Sequence, residues 1–515
     1  MKKTFLSKLS FLILLSFLLV NCEKDSFLEP EEDLAGGELF TKSGGRTLAF
    51  PEALGAGAYT MGGRFGRIIE VTNLNDRGPG SFREAVTATG RRIVVFRVGG
   101  TIELESEITL TRANSYLTIA GQTAPGDGIL ISGHKMHYPE PWRGNLLELT
   151  DYAHQIIVRY LRFRVGRNQY TPSGHHKPTE QTGDCLTIWH YGGPDNTAMR
   201  YLMFDHCSFS WSQDENIQIS ANVIYTTFQN NIISEGLNYN HPSCGVLACQ
   251  SPLSTISLSF IRNYFVHNWN RNPWLSIKKG LCCNNVVYNY GQEGMELRGG
   301  VHADIVNNYF KAGPSTYRGK KELRIWDEEH CAHGGIPNVY MRGNIGSSVR
   351  ENRNNWLMPK IEGLKIRDIK RNSFNSFWDN YPLNKLPAND LKYWLLNRSH
   401  GLGTVGANRR VDKFGMLVAN QDTVDRRVIN DFFDGDGVIA LDENSVEGFP
   451  VMNTDIPYPD ADHDGMSDIW EINNGLDPNN PNDGRLDKDG DGYTNVEEFL
   501  NYSDVNVANS KPHWF

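Results

Sequence analysis

From residue 185 to residue 311 the chain alternates short apolar runs with polar punctuation, and the runs come in pairs. CLTIW is followed by YLMFDHCSFSW, ENIQIS by VIYTTFQNNIIS, GVLAC by SLSFIRNYF, PWLSI by NNVVYNY, and MELRG by DIVNNYF. The reference positions Cys185, Asn216, Gly245, Pro273 and Met295 are separated by 31, 29, 28 and 22 residues, which is an internal repeat. No unit of two or three such strands can bury its own apolar face, so the pattern predicts an all-β parallel solenoid in which neighbouring coils complete one core. Equivalent positions of successive coils then form columns about 4.8 Å apart, and residues of one column can share a ligand. Asp184 and Asp214 stand at the heads of two such runs, and Arg271 stands two coils beyond Asp214. That spacing, about 10 Å, leaves room for one sugar ring between a cation held by the carboxylates and a base.

Composition narrows the partners. The 515 residues are 39% hydrophobic with 50 glycines, enough for a sizeable core with many tight turns. Lys plus Arg number 51 against 60 Asp plus Glu, a net charge of −9, so a nucleic acid is not the expected partner. An acidic polymer fits if a metal bridges it to the protein, and an aromatic share of 11% suits a carbohydrate cleft. Lys2, Lys3 and Lys8 precede an apolar run over Phe11–Val20, the layout of a secretory signal. Cys22 follows directly and resembles the lipobox cysteine of bacterial lipoproteins, although Asn21 replaces the small residue of that pattern. Glu23, Lys24 and Asp25 resemble the export signal of surface lipoproteins in Bacteroidetes-type bacteria. The expectation is lipidation of Cys22, a membrane association through that anchor alone, and display on the outer membrane or cell surface, with a secreted or periplasmic protein as the alternative. Beyond Cys22, seven cysteines remain; the odd number leaves at least one free. Cys185, Cys207 and Cys249 fall in strand runs and are expected to stack in the core, and no CxxC pair suggests zinc.

Seven stretches carry a family resemblance: FPEALGAGAYTMGGR from Phe50, VTNLNDRGPGSFREAV from Val71, TIAGQTAPGDGILISG from Thr118, VRYLRFRVG from Val158, DHCSFSWSQDE from Asp205, HNWNRNP from His267 and VNNYFKAGP from Val306. In this order they resemble the pectate lyases of polysaccharide lyase family 1, and more narrowly its Bacteroidetes lipoprotein branch. The resemblance implies a right-handed, single-stranded parallel β-helix, calcium dependence and β-elimination of polygalacturonate, an acidic plant polysaccharide. Such a reaction removes the C5 proton of a uronate and expels O4, and a cation on the C6 carboxylate lowers its barrier. Calcium takes oxygen ligands in irregular geometry, so Asp184 and Asp214 fit it. By comparison with the family motif, a third ligand falls at Gln218, where a carboxylate is common; Glu215 and Glu235 are the substitutes. The same comparison makes Arg271 the base. An arginine needs burial and cationic neighbours to supply a neutral fraction, and Lys278 and Lys279 are close in sequence.

Two departures thin the positive charge of the cleft. Where many members carry RxPR, this chain reads Arg271, Asn272, Pro273, Trp274; where a lysine follows the histidine matched by His241, it has Pro242, Ser243 and Cys244. His241, Lys278 and Lys279 stay as substrate-binding candidates, and Trp269 and Trp274, with Trp211, could stack on sugar faces. Asp205 and His206 are expected to brace a strand rather than touch substrate. The pairs Asn263-Tyr264, Asn289-Tyr290 and Asn308-Tyr309 suggest a ladder of turn asparagines. The competing readings are a non-catalytic surface glycan-binding protein and a β-helix glycoside hydrolase such as a polygalacturonase. The latter needs an acid and a base from clustered aspartates, where the column offers Asp, Asp and Arg.

The C-terminus carries a second metal signal. Asp460, Asp462, Asp464, Gly465, Asp468 and Glu471 match DxDxDGxxDxxE, and Asp487, Asp489, Asp491, Gly492, Asn495 and Glu498 match it again. Positions 1, 3 and 5 surround one centre, the glycine permits the turn, position 7 (Met466 and Tyr493) gives its carbonyl, and the final glutamate closes the shell. Short helices are expected over 470–474 and 496–500. The organisation expected is a lipoprotein signal over 1–22, a tether over 23–48, the β-helix over 49–345, an extension packed on it over 346–455, and an EF-hand-like calcium tail over 456–515, in a monomer.

Overall fold

The computed structural model describes residues 46–136, 144–167, 183–190, 198–238, 244–249, 257–327, 335–350, 354–371, 373–397 and 404–510. Cys22, most of the expected tether and His241 lie outside the described residues. Among the described residues the chain winds into a parallel β-helix whose complete coils lay one strand into each of three long sheets, of nine, ten and eight strands. We call the nine-stranded sheet A, the ten-stranded sheet B and the eight-stranded sheet C. One coil runs Leu186–Trp189 in A, Met199–Asp205 in B and Ser208–Ser210 in C, and the next begins at Glu215–Ser220 in A. Such crossovers between parallel strands wind right-handed.

Each coil therefore has three strands, because the second apolar run of a pair is itself broken by a corner. His206, Asn230, Arg262, Asn284 and Asn307 take φ from 51° to 60° at this corner and turn the chain from B into C. From Asn230 onward, the residue after each corner builds a ladder. Asn231, Asn263, Asn285, Asn308 and Asn344 sit one per coil, fully or almost fully buried. Asn231 N and Nδ2 donate to Asn263 Oδ1 at 3.0 and 2.9 Å, Asn263 donates in the same way to Asn285, and Asn285 to Asn308. Asn289 is not a rung: it turns the opposite corner, where its Nδ2 meets His267 Nδ1 at 2.9 Å and donates to the Gly437 carbonyl. The rung of that coil is Asn285.

The register also refines the repeat. Leu247 pairs with Trp274, so Gly245 is level with Asn272 rather than Pro273 and that coil is one residue shorter than the spacing of apolar runs suggests. Inside, like residues stack at the coil pitch: Phe204 on Phe228 at 4.6 Å and 6° between planes, and Phe163 on Phe209 at 5.3 Å and 6°. Cys185 and Cys207 join this core as buried free thiols. Cys249, by contrast, is disulfide-bonded, which corrects its reading as a stacked core residue.

The coils do not stop at residue 345. Pro359–Glu362 adds a further strand to sheet A, in register with Leu323–Trp326. The rest of the extension covers outer faces of the solenoid. Helix Thr423–Asp434 lays Val428, Ile429 and Phe432 on Tyr264, Val266, Val286 and Tyr288 of sheet C. Beside it, the buried guanidinium of Arg162 meets Asp422 at 2.9 Å, and that of Arg164 meets Asp422 at 2.7 Å and Asp425 at 3.0 Å. The tail packs Met466, Trp470, Val496 and Phe499 on Ile93, Val95 and Ala120 of sheet B, and Arg64 fastens it through Glu497 at 2.9 Å. Asp205, fully buried, braces its corner by pairing with Arg159 at 2.7 Å and His206 at 2.8 Å.

The ladder makes a direct prediction. Asn263→Ala strips the Asn231 amide of its acceptor and the Phe228 carbonyl of a donor. Each buried group left unmade costs about 1–3 kcal/mol. Urea unfolding should report a loss of at least about 2 kcal/mol, and a loss below about 0.5 kcal/mol would show that the rungs only fill space.

Candidate active site and tail metal centres

The cleft site forms where strands of sheet A begin. Leu186 pairs with Ile217, so the register sets Asp184 level with Glu215 rather than with Asp214. Asp184 Oδ1 accepts from the Glu215 amide at 3.0 Å and Oδ2 from Thr187 Oγ1 at 2.7 Å. Carboxylate oxygens of Asp184, Asp214 and Glu215 all lie within 4.8 Å of one another. Burial, with the Asp214 charge added to it, holds the Asp184 carboxyl well above the usual carboxylate range. Three acidic oxygens gathered under burial are a hard, oxygen-rich donor set of the kind a divalent cation neutralises.

Glu215 is thus the third carboxylate, and Gln218 is not. Gln218 lies farther along its strand, level with Thr187 and Leu247, and its Nε2 donates to Ser220 Oγ at 3.0 Å. Glu235 is elsewhere too, fully buried against Trp211 Nε1 at 2.9 Å and Arg427 at 2.7 Å. Strand register explains the placement: Glu215 is level with Asp184, whereas Gln218 lies three residues farther along the strand.

Arg271 reaches the same cluster. Its Nη1 donates to Glu215 Oε1, and its guanidinium lies 4.7 Å from the Trp274 ring centroid. The backbone approach needs Gly245, since a Cβ there would stand 2.7 Å from the Arg271 carbonyl and 2.9 Å from Asn272 Oδ1. Below it, Asn216 donates to Asn268 at 3.1 Å and Asn268 to Asn272 at 3.0 Å, fixing the segment that carries Arg271. Burial pushes the Arg271 pKa down, helped by the Arg298 guanidinium and opposed by Glu296, Asp214 and Asp184.

The cationic neighbour is therefore Arg298, not the two lysines. Lys278 Nζ donates to the Gly300 carbonyl at 2.8 Å, and Lys279 lies over the Phe377 ring of the extension at 4.9 Å. Trp274 is 1% exposed, with Arg298 at 3.8 Å from its ring, so it packs between protein groups in this state. Trp211 is fully buried core. Trp269 is half-buried, edge-on to Tyr317 at 5.1 Å. Arg298 also meets Glu296 at 2.6 Å and the Trp326 ring at 4.3 Å. Glu296 and Arg298 escaped the sequence reading although their signal is present: they alternate with Met295 and Leu297 in MELRG, on the outward face of the strand.

The tail loops gather acid more densely. Asp460, Asp462 and Asp464 converge within 4.8 Å, Asp464, Glu471 and Asp483 do likewise, and Asp487, Asp489 and Asp491 form the second centre. Both carboxylate oxygens of Asp462, Glu471 and Glu498 are buried without a hydrogen-bond partner among the described residues. Orphaned oxygens of this kind fit a cation. Asp468 and Asn495 stand outside the clusters; each instead accepts from the amide of its loop's second residue, Ala461 at 2.7 Å and Lys488 at 3.1 Å. The closing glutamates ride on helices Asp468–Asn474 and Asn495–Asn501, somewhat longer than expected.

Comparison with known proteins gives a consistent family. The chain is 33% identical over 465 residues to a probable pectate lyase C of Aspergillus terreus, covering 88% of this chain and 93% of the relative. A probable pectate lyase C of Aspergillus fumigatus is 32% identical over 470 residues, with 88% and 93% covered. Among solved structures, a pectate lyase from Paenibacillus sp. 0602 superposes with a TM-score of 0.46 at 12% identity, covering 69% of this chain and 95% of that one. No protein-family profile matches the chain.

The crowded tail acids set a pH dependence. Burial and neighbouring carboxylates push Asp464 to about 8 and Glu471 and Glu498 to about 9. These folded values lie above the unfolded ones, near 4, so the stability they contribute is full below about pH 4 and is lost as pH climbs toward about 9. Chelator-treated protein should melt at falling temperature from about pH 5 to about pH 9, and millimolar calcium should flatten the slope. A chelated midpoint that holds level or rises across that window would contradict the crowding.

Proposed function

The chain belongs to the pectate lyase family, and from that premise we propose that it cleaves a galacturonate polymer by calcium-dependent β-elimination, with Arg271 as the base. The observation that carries this reading is the pairing of a buried arginine with one member of a three-carboxylate cluster. Asp184, Asp214 and Glu215 would hold the calcium, which when bound would neutralise the C6 carboxylate of the uronate and the acid charge that keeps Arg271 protonated.

The protein's own groups do the rest. Glu215 anchors one arm of the Arg271 guanidinium, so the other arm is free of rotational search when it meets C5. Burial lowers the cost of a neutral guanidine there. Arg271 takes the C5 proton, the C4–O4 bond breaks, C4=C5 forms, and O4 leaves with a proton from water. Trp274 and the asparagines beneath Arg271 keep the base from swinging away. Arg298, ion-paired with Glu296 and packed on Trp274, adds a second guanidinium beside Arg271.

Polygalacturonate with calcium should yield unsaturated product, followed by its ultraviolet absorbance, and chelation should stop it. Arg271→Lys should lower kcat by about 100-fold or more, since a lysine cannot both keep the Glu215 contact and reach C5. New reducing ends without unsaturation would make the protein a hydrolase. Polymer binding with no bond cleavage would leave a glycan-binding protein.

A further inference from the structure

The first tail loop is built around more acid than its twelve residues supply. Asp464 belongs to two overlapping clusters, one with Asp460 and Asp462, the other with Glu471 and Asp483. Asp483 lies outside the loop, in the short turn Asp483–Arg485 that leads to the second loop. Its Oδ2 accepts from the Asp477 amide at 3.1 Å, while its Oδ1 is buried with no hydrogen-bond partner among the described residues. Asp464, Glu471 and Asp483 are each more than nine-tenths buried, and Asp464 Oδ2 and both Glu471 oxygens are likewise unpartnered. Four orphaned acid oxygens from three chain segments thus point at one small volume. Left without a counter-charge they repel, and no arginine or lysine among the described residues is hydrogen-bonded to them.

The turn itself is shaped for this approach. At Gly484, a Cβ would collide with Asp464 Oδ2, so only glycine lets the turn bring Asp483 alongside the loop. The same turn is tied to the second loop. Asn495 Nδ2 donates to the Asp483 carbonyl at 2.8 Å, Asn495 N donates to the Leu486 carbonyl at 2.7 Å, and Asn495 Oδ1 accepts from the Lys488 amide at 3.1 Å. Asn495 is therefore a strut between Asp483 and the backbone of the second loop.

We propose that Asp483 is a ligand of the first tail site, which makes it a five-carboxylate centre closed from outside its own loop, and that the Asp483–Asn495 strut couples occupation of the two tail sites. A cation in the first site would fix the turn, and a fixed turn presets the second loop. The inference stands apart from the cleft and survives whatever the elimination assay returns.

The test is a calorimetric titration of the full chain with calcium after chelation. Asp483→Asn keeps an amide oxygen for the Asp477 N–H, so the turn persists, but it removes one charge and the free oxygen. It should weaken one calcium equivalent at least tenfold, and Gly484→Ala, which alters no carboxylate, should weaken the same equivalent. Glu498→Gln, which disables the second site, should also lower the affinity of the first severalfold. Parental isotherms for both Asp483→Asn and Gly484→Ala would overturn the ligand, and a first site indifferent to Glu498→Gln would overturn the coupling.

Discussion

Everything in this molecule depends on the fixed register of one coil on the next. A parallel sheet repeats at about 4.8 Å, so any residue type that recurs at one position of the coil becomes a continuous column. Inward columns become the stacked phenylalanines, the corner column becomes the asparagine ladder, and the column at the start of sheet A becomes the carboxylate cluster. The ladder keeps the register from slipping, because a slip of one residue would break every rung at once and turn core residues outward. The candidate active site sits on the segments that enter these strands, so its geometry is set by the register of the scaffold.

The chain neutralises buried acid in two ways, and the choice tells the sites apart. Where a permanent joint is needed, arginines do it: Arg162 and Arg164 meet Asp422 and Asp425 where the extension joins the solenoid, and Arg64 meets Glu497 under the tail. In the cleft, three carboxylates share the Arg271 contact to Glu215, and in the first tail loop the ion pair to the cluster is Arg97 on Asp460, at 3.6 Å. Acid left in excess of its arginine partners is what a hard cation completes. The cleft differs from the tail in that burial lowers the pKa of Arg271, the direction a base requires.

Much of this was legible in the sequence, for identifiable reasons. Short apolar runs at near-constant spacing can only be buried by stacking, so the solenoid followed from pattern alone. The two calcium-loop motifs were legible because their ligands are contiguous. Register was not, since counting from the start of each apolar run misplaces a level by one residue; the family motif pointed to Gln218 and left Glu215 only as a substitute, and the register is what sets Glu215 level with Asp184. Lys278 and Lys279 misled because nearness along a strand says nothing about which face a side chain takes, whereas Arg298, one coil on, is near in space. Asp483 lay outside any motif spacing, and only the fold of its turn brings it to Asp464. Cys249 sits in a strand run like Cys185 and Cys207, and nothing in that run distinguishes a disulfide from a core thiol.

The central claim is geometric, and a crystal structure of the Arg271→Lys protein with calcium and a galacturonate oligomer tests it most directly. The account predicts anomalous scattering from a calcium ion bound by Asp184, Asp214, Glu215 and the sugar's C6 carboxylate, with C5 of that sugar facing the side chain of residue 271. A cation seated on Gln218 without Glu215, or a sugar whose C5 faces away from residue 271, would contradict it.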